Sequence, residues 1–244
     1  MTNASKPLFY NSVVALDRNA HARLRLKTPD NYSFAADAPL VPVLTAEFGL
    51  IAREYTLVFM SGGGKEMVPV ALTGMPQGKN LFVRPDGSWD ARYLPAYVRR
   101  YPFVFVETSP EQFTVCVDTG SAFLSEEVGS PLFENGEPSP VMQETVRLLT
   151  DYQRLAAQTK LFMDKLSAAN VLMEANAKAD LPDGRTFTWR GFWVVDEARF
   201  RELPDAMVKE WFTGGELGLV FAHLMSLNNL SELLRRHHAV TPAT

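Results

Sequence analysis

Tyr55-Thr56-Leu57-Val58-Phe59-Met60 is followed by Ser61-Gly62-Gly63-Gly64-Lys65 and then by Met67-Val68-Pro69-Val70-Ala71-Leu72. Two runs of β-branched and aromatic residues joined by a glycine-rich connection predict a β-hairpin. Proline has no N–H to give a ladder, so Pro69 is expected at a sheet edge or a bulge. The glycines do not form a phosphate loop. Lys65 leads into Glu66 and a strand-like run rather than a Ser/Thr opening a helix.

Similar segments surround this hairpin. Asn80-Leu81-Phe82-Val83 reads as a further strand, closed by the turn Arg84-Pro85-Asp86-Gly87. Pro102 to Glu107 and Phe113 to Asp118 form another pair, split by Thr108-Ser109-Pro110-Glu111. Short consecutive strands with tight connections favour an antiparallel sheet over βαβ units. Within the last of these, Thr114, Cys116 and Asp118 share one face, and the lone cysteine reads as a small apolar filler.

Beyond residue 119 the pattern changes. A Gly- and Pro-punctuated passage, 119–139, precedes Ser139-Pro140, an N-cap followed by a proline suited to the first helical turn. Leu148, Tyr152, Leu155, Thr159, Phe162, Leu166, Ala169 and Met173 then recur at spacings of four and three, a heptad-like seam. It predicts a long helix over 140–174 that packs on the sheet, mediates a homo-oligomer through 148–173, or docks a partner. Leu181-Pro182-Asp183-Gly184 is a turn, and two short strands are expected around Gly191. Asp196, Asp205 and the Gly214-Gly215 pair punctuate a final group of short helices. The fold expected is α+β, a single 1–244 domain. Its antiparallel β-rich half, 8–120, packs against the long helix and the 181–238 hairpin and short helices.

The 244 residues are 46% hydrophobic, enough for a sizeable core, and the formal net charge is -4. That balance offers no electrostatic footprint for nucleic acid. One cysteine excludes an internal disulfide and a multi-cysteine zinc site, and no metal is expected from His21, His223, His237 and His238. His237 and His238 are expected to be solvated at a helix end. No GxGxxG or GxSxG occurs, so no cofactor is implied and the reading leans away from an enzyme. The chain has no signal-peptide pattern. The longest apolar candidate, Leu217 to Leu227, is about half of a spanning length. A cytoplasmic location is expected.

The densest passage runs from Asn80 to Phe103, interleaving Trp89, Tyr93, Tyr97 and Tyr101 with Arg84, Arg92, Arg99 and Arg100. Large rings and planar guanidinium groups are enriched in protein interfaces. A protein partner is therefore expected on Trp89, Arg92, Tyr93, Tyr97, Arg99 and Arg100. The alternative is a short helix, Tyr93 to Arg100, with its aromatic side on the sheet. Glu47 with Glu54, and Asp118 with Glu126 and Glu127, are candidate carboxylate pairs for acid/base work. A small-ligand or enzymatic site between sheet and helices would draw on Glu47, Arg92, Asp118 and His223.

The chain as a whole resembles the SapC family. The likeness rests on Val41-Pro42-Val43-Leu44-Thr45-Ala46-Glu47-Phe48, Arg53-Glu54-Tyr55 and Pro69-Val70-Ala71-Leu72-Thr73-Gly74. It continues in Trp89-Asp90-Ala91-Arg92-Tyr93-Leu94-Pro95-Ala96-Tyr97, Arg99-Arg100-Tyr101-Pro102-Phe103 and Ala222-His223-Leu224-Met225-Ser226-Leu227. The resemblance implies an association with bacterial surface-layer or export functions, and it brings no catalytic residues. Surface association rests on it alone.

Overall fold

A computed structural model describes residues 7–240 except 64–65, 77, 110–111 and 181–185, with the side chains of 63, 177–180, 186–187 and 240 also outside the description. The chain order begins β1 (Val13–Ala15), β2 (Arg25–Leu26), β3 (Leu40–Pro42), α1 (Phe48–Ile51), β4 (Thr56–Gly63), β5 (Glu66–Leu72) and α2 (Ala96–Arg99). It continues with β6 (Phe103–Ser109), β7 (Gln112–Asp118), β8 (Leu124–Ser125), β9 (Ser130–Pro131), β10 (Phe133–Glu134), β11 (Glu137–Pro138) and α3 (Pro140–Ala168). It closes with β12 (Leu172–Asp180), β13 (Thr186–Val195), α4 (Glu197–Arg201), α5 (Asp205–Gly214), α6 (Glu216–Ser226) and α7 (Leu230–Val240). The fold is the expected α+β.

The largest sheet has the order β12-β13-β4-β5-β3, and a second runs β1-β7-β6. Their strand pairs are antiparallel. The expected 55–72 hairpin is β4–β5, and Gly64 and Lys65 lie outside the described residues. Pro69 corrects the edge-strand expectation, because β5 lies between β4 and β3. Its carbonyl accepts the Val43 N–H at 3.1 Å just past the last β3 pair, Pro42 with Val70. N–H and C=O of one strand residue point the same way, so the missing donor faces the end of β3, where the ladder stops. Asn80–Val83 is no strand: it makes isolated bridges, Gly74 with Asn80 and Val83 with Trp89. The expected turn follows, with Gly87 at φ +84°.

Ser139 caps α3 as expected, its hydroxyl accepting the Met142 N–H at 3.3 Å. The 29-residue helix is about 43 Å long at 1.5 Å per residue. It spans two cores: Met142 and Leu149 pack with Phe103 and Val117, while Phe162, Met163 and Leu166 pack with the large sheet. The seam's Thr159, Phe162 and Leu166 are thus buried within the chain itself. The helix ends at Ala168, six residues short of the expected boundary. Asn170 adopts φ +53° and Val171 turns into β12, which carries Met173. Asn is among the few non-glycine residues that tolerate the left-handed region.

The expected strands around Gly191 are one strand, β13. Gly191 has φ +77° and sits at a bulge where the register against β12 shifts between Ala175 and Ala177. The 181–184 turn lies outside the described residues. Asp196 caps α4 by accepting from the Ala198 and Arg199 N–H groups. Pro204, not Asp205, is the residue preceding α5.

One helical stretch among the described residues, Glu216–Ala239, is long and apolar enough by length and composition to cross a membrane. It is longer than the Leu217 to Leu227 run because α6 continues into α7 through a 3-10 turn, Leu227–Asn229. Its inner side packs on the large sheet, with Val220, His223 and Leu233 buried. Phe221 and Met225 are exposed. His237 and His238 are half-buried rather than solvated.

Candidate functional site

The Trp89–Tyr101 block lies against α1, the segment before it, and α3. Tyr55 ends the turn after α1, and its hydroxyl links the block inward: it accepts from Trp89 Nε1 at 2.8 Å and donates to the Tyr93 carbonyl at 2.6 Å. The Trp89 ring is half-buried, edge-on to Tyr32 at 5.9 Å. Burial pushes the Tyr55 hydroxyl well above its ordinary range, so it stays a neutral donor and acceptor.

Glu47 organises the next layer. It is buried, and its carboxylate accepts from the Leu44 N–H at 2.9 Å, the Tyr93 hydroxyl at 2.8 Å and the Ala96 N–H at 2.7 Å. A buried carboxylate is tolerated when donors of this number converge on it. Desolvation first, and Glu47 second, push the Tyr93 hydroxyl up to about 12. Glu54 holds the same loop from outside, accepting from the N–H groups of Arg92 at 2.9 Å and Tyr93 at 3.3 Å.

Arg100 fills a cage of tyrosines. Its guanidinium lies 3.9 Å from the ring centre of Tyr97, 4.5 Å from that of Tyr152 and 6.0 Å from that of Tyr10. Tyr97 is itself buried, with its hydroxyl accepting the Leu8 N–H at 3.0 Å. The Tyr97 ring therefore serves the interior and those of Trp89 and Tyr93 are half-buried, a narrower surface than the six residues expected from sequence. The short-helix alternative describes these rings better, although the helix is only Ala96–Arg99.

Three arginines remain outside. Arg53, Arg92 and Arg99 are exposed, and none makes an ion pair among the described residues. Arg99 Nε donates to the Leu94 carbonyl at 3.1 Å, and its guanidinium lies 5.8 Å from the Tyr93 ring centre. Arg53 and Arg92 line a surface concavity of about 490 Å3 with Leu50, Glu54 and Tyr93. Arg53 is the member that sequence reading missed. Its distance from the dense block hid it, and its only signal was the Arg53-Glu54-Tyr55 tripeptide.

The other expected polar groups are apart from this surface. Asp118 is fully buried at the end of β7, accepting from the N–H groups of Asn11 at 2.7 Å, Ser12 at 2.8 Å and Gly120 at 3.1 Å. His223 lies on α6, where Nε2 accepts the Val195 N–H at 3.1 Å and Nδ1 donates to the Leu57 carbonyl at 3.0 Å. Glu47, Asp118 and His223 are each bound to a different set of backbone groups, and no pair of them shares a partner. Cys116 is buried, and burial raises its thiol above the ordinary range, away from thiolate reactivity. No cluster of three metal-ligating side chains occurs among the described residues.

These features define a mixed α+β protein with a rigid, internally bonded aromatic block and an open arginine rim. The chain belongs to the SapC family, whose model matches residues 16–233. No curated protein and no solved structure gives a significant match to it.

Proposed function

We propose that this chain is a non-catalytic interaction protein that docks an acidic segment of a protein partner on Arg53, Arg92 and Arg99. The observation that carries this reading is the lack of an ion pair at all three arginines among the described residues, in a chain of net charge -4. Several other cations are answered: Arg84 and Arg236 by Asp90, Lys79 by Asp37, and Arg235 by Glu232. The rim stands on a fixed base, since Glu54 and Glu47 bond the backbone of Arg92, Tyr93 and Ala96. Planar guanidinium groups beside a Tyr ring suit carboxylates, and a preorganised surface loses little entropy on binding. A surface-layer or export setting for the partner follows from the family resemblance alone.

The reading against catalysis is supported by the full engagement of Glu47, Asp118 and His223 in structural bonds. The test is fluorescence anisotropy with a labelled Asp/Glu-rich peptide containing one tryptophan, against wild type and Arg53→Glu/Arg92→Glu/Arg99→Glu. Binding that weakens at least tenfold in the triple variant, and weakens with added salt, supports the proposal. Equal binding by the two proteins, or none by the wild type, ends it.

A further inference from the structure

A second concavity has a different character. It lies between the loop 78–90 and α7 and encloses about 790 Å3, within the ordinary range of small-molecule sites. Met75, Leu81, Val83 and Pro85 give it apolar walls. Of the Asp, Glu, Lys and Arg side chains lining it, Lys79, Arg84, Arg235 and Arg236 are cations and only Asp90 is a carboxylate.

Arg236 belongs to the architecture. Its side chain is 19% exposed, its guanidinium stacks 4.3 Å from the Phe82 ring centre, and it bonds Asp90 at 2.7 Å. Its Nε also lies 3.2 Å from Glu232, an ion pair at an angle that makes no hydrogen bond. Arg235 is paired within α7, its guanidinium donating twice to Glu232 at 2.7 Å, so neighbouring carboxylates account for both Arg235 and Arg236. Lys79 and Arg84 come from a loop on the opposite wall. Their side chains are 74% and 54% exposed, and their partners Asp37 and Asp90 hold them in water-facing pairs of small net worth. An incoming anion exchanges such pairs at little cost.

We infer that this cleft binds a medium-sized organic anion, its carboxylate or phosphate group between Lys79, Arg84 and Arg235 and its apolar body on Met75, Leu81 and Val83. The two walls come from segments about 150 residues apart in sequence, so binding also ties α7 to the 78–90 loop.

The test uses octanoate, octyl phosphate and octanol as probes on the full chain, followed by methyl NMR at Met75, Leu81 and Val83. The expected result is saturable shifts at these methyls with either anion, and at least tenfold weaker binding of octanol. Lys79→Gln/Arg84→Gln on one wall and Arg235→Gln on the other are each expected to weaken the anions at least fivefold, with unchanged urea unfolding. A preference for octyl phosphate over octanoate, or the reverse, assigns the headgroup. The inference is overturned if neither anion moves the methyls, if octanol binds as well as the anions, or if both well-folded variants bind unchanged.

Discussion

Leu57 and Val195 occupy the ladder position two residues beyond the Phe59–Trp193 pair of β4 and β13, yet they are joined through the ring of His223. The Val195 N–H donates to Nε2 and Nδ1 donates to the Leu57 carbonyl, so the imidazole is neutral with its proton on Nδ1. Ser226, three residues on, accepts the Leu57 N–H at 3.0 Å. One face of α6 thus replaces the strand–strand bonds where β13 leaves β4, and the sheet remains satisfied without a further strand pair.

Burial pushes His223 down to about 4, against a small opposing effect of the Leu57 carbonyl. The unfolded chain takes up a proton near pH 6.5 that the native chain refuses until about pH 4. Stability from this group is therefore complete above pH 6.5 and falls as the pH drops through that window, by about 3 kcal/mol. Urea unfolding at pH 7.0 and 4.5 measures it. His223→Gln, which keeps a donor and an acceptor, is expected to lack this limb. An identical acid limb in the variant refutes the assignment.

Glu47 anchors three donors from two segments, so its loss strands buried polar groups. Glu47→Ala is expected to cost about 3 kcal/mol or more, and Glu47→Gln about 2 kcal/mol because, with its oxygen kept on the Tyr93 and Ala96 donors, its NH2 group opposes the Leu44 N–H. Equilibrium denaturation decides. A loss below about 0.5 kcal/mol in Glu47→Ala means that the carboxylate is dispensable to the loop.

Much of this fold was legible in sequence where a single element carried its own signal. The β4–β5 hairpin, the Ser139 cap and the Asp196 cap depend on neighbours in the chain, and period and cap chemistry report them directly. The site was less legible. The Trp89–Tyr101 composition marked an unusual block, but which way a ring faces depends on Tyr55, Glu47 and Tyr152, far away in sequence. His223 was visible as a histidine on an apolar helix. Its two partners could only be read after β4 and β13 were placed.

Arg100 joins α2 to α3 through the Tyr97 and Tyr152 rings without an ion pair among the described residues. Arg100→Lys keeps the charge and loses the planar stack, for an expected cost of about 1 kcal/mol, whereas Arg100→Ala removes stem and charge for about 2 kcal/mol. Thermal unfolding of both variants ranks them. Equal stability of Arg100→Lys and wild type shows that charge alone suffices.

Asn170 decides where α3 stops. Its seam pattern continues through Ala169 to Met173, so side-chain periodicity favours more helix, and the backbone overrides it at φ +53°. Asn170→Gly retains access to that conformation and is expected to leave stability within about 0.5 kcal/mol, the freedom of glycine offsetting the strain it relieves. Asn170→Val adds a β-branched side chain in the left-handed region and is expected to cost about 1–2 kcal/mol. Asn170→Leu meets the same backbone penalty while extending the apolar seam. If Asn170→Leu is as stable as Asn170→Gly, the register of β12 rather than the residue at 170 terminates the helix. Denaturation of the three variants, with amide exchange at Val171 and Leu172, separates these outcomes.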